Sequence, residues 1–198
     1  MSSSLVSVAS AAAIVNSRRM QFSTYDLPVF TPKPIAFSIW GLLFTLGLLH
    51  GLIHTPSTRS LLYAFSMILC AVWPNVSHDA TMSVYVVTGA FLFSFVSVIT
   101  GPKYENNYET GTLAVSLQAG WLAVATLLSI VRMLGNDSPY NSMKTFVVAA
   151  CFVSLTSVVT SRPGFIAPLA WACACIDGHS RLIRSLFPLI VSCFVLSF

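Results

Sequence analysis

Residues 80–102 read ATMSVYVVTGAFLFSFVSVITGP, a run of 23 positions with no Asp, Glu, Lys or Arg. An α-helix needs about 20 mostly apolar residues to cross the hydrocarbon of a bilayer, and this run supplies them. Its apolar residues are continuous, whereas a strand of a membrane barrel would alternate. The feature repeats on both sides. Charge-free runs cover 34–58, 60–78 and 110–131, and shorter ones cover 1–17, 145–161, 163–176 and 185–198. Over all 198 residues, hydrophobic side chains make up 56% and charged ones 8%, against about 25% charged in an ordinary soluble domain. So few charges exclude a soluble monomer, a disordered tail and a coiled coil. The ten Lys and Arg exceed the six Asp and Glu, but they are scattered. No basic tract exists to follow a nucleic-acid backbone.

The pattern implies an all-α polytopic transmembrane bundle over 34–198, behind an N-terminal segment 1–33. Spans are expected near 34–55, 60–77, 82–100, 111–134, 144–161, 163–177 and 182–198. Turn residues separate them: Thr55-Pro56-Ser57-Thr58, Gly101-Pro102, Gly135-Asn136-Asp137-Ser138-Pro139, Arg162-Pro163-Gly164 and Asp177-Gly178. Connections this short make neighbouring helices antiparallel and leave no soluble domain. The 145–161 run is brief, and Lys144 and Arg162 can lengthen it by snorkelling; the last two runs are short for perpendicular spans. On this topology one face carries Arg18, Arg19, Lys33, Arg132, Lys144, Arg181 and Arg184, and the other Arg59, Lys103 and Arg162. The excess places the Arg18–Lys33 segment on the cytoplasmic or matrix-like side. Residues 1–25 are rich in Ser and Ala and have no acid before Asp26. They fit a short helix over Leu5–Asn16 or an organellar targeting sequence; the helix is preferred.

From Tyr25 to Leu42 the chain reads YDLPVFTPKPIAFSIWGL. Pro32 and Pro34 hold the residues before them extended, and Pro34 suits the first turn of a helix. A stiff extended segment therefore turns into a helix, with Trp40 about two turns in. That depth suits the bundle interior better than an interfacial anchor. Two further stretches follow at Cys70–Pro74 (CAVWP) and Gln118–Thr126 (QAGWLAVAT).

Together these stretches resemble the tryptophan-rich sensory protein family, also called TspO or the translocator (peripheral benzodiazepine) receptor family, and most of all its longer divergent branch. The similarity in order and spacing covers roughly residues 5–134. Residues 145–198 resemble the extra C-terminal helices of that branch in hydropathy alone. The resemblance implies a five-helix core with additional C-terminal helices. It also implies a site for a flat apolar ligand, either a tetrapyrrole (porphyrin, haem or chlorophyll) or a sterol or other lipid. Phe37, Trp40, Trp73 and Trp121 would form its aromatic walls. Departures from the family pattern are specific. Pro34 and Ile35 stand where the family has Gly and an aromatic, and Cys70 and Ser129 stand where it has Asn. Neither Cys nor Ser supplies an amide, so these changes bear on ligand chemistry more than on fold.

Other constellations are sparse. His50 and His54, four apart, share a helix face and are the weak candidates for a metal or a tetrapyrrole's central ion. No third ligand accompanies them, and a structural role at the membrane edge is preferred. Gly47 and Gly51 form a small-xxx-small face that allows close helix packing. The five cysteines are odd in number, and Cys173-Ala174-Cys175 is no zinc spacing; all are read as buried thiols. Neither a nucleophile elbow nor a phosphate loop occurs, and no span holds paired carboxylates or a charge away from its ends. An enzyme and an ion-coupled transporter are therefore not expected. Two function classes remain. One is a TspO-like binder, sensor or carrier of a flat apolar ligand, surrounded by membrane lipids. The other is an accessory subunit of a larger organellar complex, respiratory in mitochondria or photosynthetic in plastids, that keeps the fold without the ligand. The retained tryptophans favour the first. A homodimer or larger assembly fits either; nucleic acid fits neither.

Overall fold

The structure is a computed structural model that describes residues 2–17, 38–53, 57–101, 110–134, 139–160 and 162–175. Seven helices fill these segments: α1 Ser2–Ser17, α2 Ile39–Ile53, α3 Thr58–Val76, α4 Ala80–Ile99, α5 Thr110–Met133, α6 Pro139–Thr160 and α7 Ala167–Cys175. A 3-10 turn, Pro163–Phe165, precedes α7, and no strand occurs among the described residues. The fold is an all-α membrane bundle.

Local chemistry sets the helix ends. Ser57 caps α3, its hydroxyl accepting from Ser60 N at 3.1 Å. Asp79 caps α4, its carboxylate accepting from Thr81 N at 2.9 Å and Met82 N at 3.0 Å. Both satisfy amides that the first helical turn leaves unpaired. Arginines bind the opposite ends. Arg59 donates to Ser97 O at 3.1 Å and Arg162 to Gly101 O at 3.2 Å, both where α4 stops. Arg132 donates to Ser77 O at 2.6 Å, where α3 stops. Arg59 and Arg162 thus share one end of the bundle and Arg132 lies at the other.

Five helices close a ring in the order α1–α2–α5–α4–α3, since α1 packs on α2 and α3, α2 on α5, α5 on α4, and α4 on α3. The 3-10 turn, α6 and α7 pack on α5 from outside. The N-terminal helix, read from the sequence as part of a segment apart from the bundle, is one wall of that ring. Its Val6, Ala9, Ser10 and Ala13 are buried.

The distribution of side-chain size is that of a protein solvated by lipid. α4 buries Ser83, Ala90, Ser94 and Ser97 and exposes Tyr85, Leu92, Val96 and Ile99. α6 likewise buries Ala150, Ser154 and Ser157 and exposes Val148, Phe152, Leu155 and Val159. Small and hydroxyl residues between helices allow close approach, while large apolar ones meet hydrocarbon. Three helices, Thr58–Val76, Ala80–Ile99 and the Thr112–Met133 part of α5, are long and apolar enough to cross a membrane.

Several boundaries differ from those expected. α2 starts at Ile39, so Trp40 sits in its first turn and not two turns in. α6 begins at Pro139, ahead of the expected 144, because proline is favoured in a helix's first turn. Within the 163–177 stretch the described residues of α7 are the nine of Ala167–Cys175, about 14 Å of helix. Its Leu169 and Ala172, with Phe165 and Ile166 before it, are buried in the core. The segment over 18–37 and the expected span 182–198 lie outside the described residues.

Candidate ligand site

Trp40, Trp73 and Trp121 come from α2, α3 and α5, and all point into the ring. Trp40 lies 5.8 Å from Trp73, tilted, and 6.1 Å from Trp121, edge-on, between ring centroids. Phe44, one turn after Trp40, stacks on it at 5.2 Å. Such spacings are those of favourable aromatic pairs. α2 and α3 are not neighbours in the ring, so the indoles bridge its interior. They are at most 7% exposed. In this arrangement the rings fill the space that they would otherwise enclose. Trp73 Nε1 donates to Ser83 Oγ on α4 at 2.8 Å. Trp40 Nε1 is buried and has no hydrogen-bond partner among the described residues.

A polar cluster lies one helical turn away. Gln118 precedes Trp121 by three residues and Cys70 precedes Trp73 by three, so each pair shares a helix face. Gln118 Nε2 donates to Ser66 Oγ at 2.9 Å and sits 3.8 Å from Cys70 Sγ. Ser66 donates to Ala90 O at 2.8 Å and is 2.7 Å from Ser94 Oγ. These bonds tie α3, α4 and α5 together in the membrane interior, where unpaired polar groups are costly. Gln118 Oε1 is buried and has no partner among the described residues. The sequence reading quoted Gln118 without giving it a role. The signal was present: it is the one amide side chain in the 110–131 run.

The remaining expected residues fall elsewhere. Gly47 lies at the junction of α1, α2 and α3. A Cβ there would meet Met67 Cε, would stand 2.7 Å from Ser10 Oγ and would stand 3.2 Å from Tyr63 OH. Gly51, on the same helix, is buried. His50 is buried with its ring edge-on to Tyr63 at 5.2 Å. Phe37 and His54 lie outside the described residues. A cavity of about 250 Å³ lies apart from the tryptophans, between α4, α5 and α6, lined by Phe91, Ala123, Thr126, Leu127, Val148 and Phe152.

A family model described as TSPO-like protein matches residues 2–197. The chain belongs to the TSPO-like protein family. That match covers α6 and α7 as well as the ring, so the outer helices are part of this TSPO-like unit. No curated protein and no solved structure matches the chain. As a TSPO-like chain with apolar helices of membrane-spanning length, it is an integral membrane protein.

Proposed function

We propose that this TSPO-like protein binds a flat apolar ligand, a tetrapyrrole or a sterol-like lipid, between Trp40, Trp73 and Trp121, and acts as a non-catalytic sensor or carrier. The observation behind this is the meeting of three indoles from three helices inside the ring, two of those helices not being ring neighbours. Indole faces stack on flat ring systems at small entropic cost. Because the rings touch, binding requires Trp40 to part from Trp73 and Trp121. Trp40 sits in the first turn of α2, where the fewest helical bonds hold it. Phe37, three residues before Trp40, belongs to the same proposed site.

Thermal unfolding of the purified protein with protoporphyrin or cholesterol tests this. A ligand that binds the folded state alone should stabilise it by about 2.7 kcal/mol at a hundredfold excess over Kd. Trp40→Leu should remove that shift while the protein stays inserted. A melting temperature unmoved by either probe contradicts binding.

The filled interior favours a second reading, an accessory subunit of a larger organellar membrane complex that keeps the fold and takes no ligand. In that case the apolar outer faces of α4 and α6 meet protein neighbours as well as lipid. Mild-detergent purification should then bring down a fixed set of subunits.

A further inference from the structure

We propose that the cavity between α4, α5 and α6 holds one acyl chain of an anionic phospholipid, with the lipid's phosphate at Lys144. The site lies outside the helical ring and is independent of the tryptophans. α4 and α6 both pack on α5, and phenylalanines span the gap between them. Phe152 on α6 lies 6.1 Å from Phe91 and 6.3 Å from Phe95 on α4, and Phe95 lies 6.1 Å from Phe165 beyond α6. Phe95 and Phe165 close the groove toward the end that holds Arg162. On the other side of Phe91 and Phe152 space remains, about 250 Å³ over Ala123, Thr126 and Leu127 of α5, with Val148 at its mouth.

Size, polarity and position each restrict the occupant. Pockets for drug-sized ligands run to about 300–1,000 Å³, so this one is too small to enclose a sterol or a porphyrin, but a segment of one hydrocarbon chain fits. A buried water needs roughly two to four polar partners, and the Thr126 hydroxyl is the one polar side chain in the described lining. Val148 is 62% and Phe152 43% exposed, on the lipid-facing side of α6, so the opening is continuous with the membrane hydrocarbon. A chain already in the leaflet enters without desolvating a polar group and gains dispersion contacts that a void lacks. Lys144, Val148 and Phe152 are four apart and share one stripe of α6, and Lys144 is exposed. Arg162, past the end of α6, shares the Arg59 end of the bundle, so Lys144 lies toward the opposite end. The stripe thus leads from the groove to a cation at the membrane edge, where long basic side chains reach the headgroups. A chain below and a phosphate above is the shape of a phospholipid, and the positive charge favours an anionic one.

The test uses the full chain in phosphatidylcholine nanodiscs doped with phosphatidylglycerol that carries a mid-chain diazirine, with peptide mapping after illumination. Label should concentrate at residues 123–127 and 148–152, several-fold above the lipid-facing Leu92 and Val159. Val148→Trp narrows the mouth and should remove that excess, while Val159→Trp should leave it; both positions are exposed, so neither change strains the core. Phosphatidylglycerol should win the groove over phosphatidylcholine about fivefold, the worth of one basic side chain near an anionic headgroup. Lys144→Gln should bring the two to parity. Label spread evenly over the exposed faces of α4 and α6, or an excess that survives in Val148→Trp, overturns the site. Stronger labelling of the groove by a diazirine sterol overturns the occupant, and so does capture of residues 176–198 in place of lipid by Phe152→benzoylphenylalanine. Equal use of the two phospholipids by the wild type overturns the Lys144 contact.

Discussion

At Gly120 the α5 backbone meets the backbone carbonyl of Phe165, and an added Cβ would collide with it. A main-chain atom cannot rotate aside as a side chain can. Gly120→Ala should therefore destabilise the protein by about 1–3 kcal/mol, read as a lower melting temperature in detergent. Gly41 is the matching control: it is exposed on α2, and nothing lies within 4 Å of an added Cβ. Gly41→Ala should leave stability unchanged or raise it by about 0.5–1 kcal/mol, because alanine loses less backbone entropy in a helix. If both substitutions cost the same, the Phe165 contact is not what constrains position 120. Ser66→Ala is a third case. It strips a buried acceptor from Gln118 Nε2 and a partner from Ser94, and should cost about 1–3 kcal/mol. These residues differ in how legible they were. Gly47 announces itself by its spacing from Gly51. Gly120 sits in a quoted stretch, but its partner Phe165 is remote in the chain and no local pattern names it. Gln118 stood out only as an amide in an apolar run, and its partners Ser66 and Cys70 come from α3, remote in the chain.

Charges mark where helices end. Arg59, Asp79 and Arg132 each lie within about two residues of a helix terminus, because charged heads belong outside the hydrocarbon. Charge gaps therefore locate α3, α4 and α5 well. They say less where apolar residues are buried against protein, as Leu169 and Ala172 of α7 are in the core. Pro34, from which a helix start is expected, lies outside the described residues, within which α2 runs from Ile39. At this scale the arginine contacts at the end of α4 can be tested. Arg59 Nε donates to Ser97 O, and its Nη2 donates to Thr112 Oγ1 at 3.0 Å, joining α4 to α5. Arg59→Leu should lower stability by about 1–3 kcal/mol, since bonds from a charged donor are the stronger kind. An unchanged denaturation midpoint would show that water or headgroups replace them.

The whole molecule is a five-helix ring with an outer layer, and its connections alternate between two ends. In a cysteine-free background, Ser57→Cys and Asn107→Cys should react with an impermeant thiol reagent from one side of the membrane. His78→Cys should react from the other. Labelling of Ser57→Cys and His78→Cys from the same side would break the ring's antiparallel order. The interior of that ring holds the central claim, that Trp40, Trp73 and Trp121 part to take a flat ligand. Trp171 on α7 is 41% exposed and lies outside the ring, so it serves as an internal reference. The most direct measurement is a protoporphyrin titration of two variants by tryptophan fluorescence. One carries Trp171→Phe and keeps the three interior indoles; the other replaces those three by Phe and keeps Trp171. Saturable quenching in the first and only weak, non-saturating quenching in the second is the predicted result. The same curve in both, or absence of saturable quenching in the first together with no thermal shift on cholesterol, contradicts a ligand site between the tryptophans.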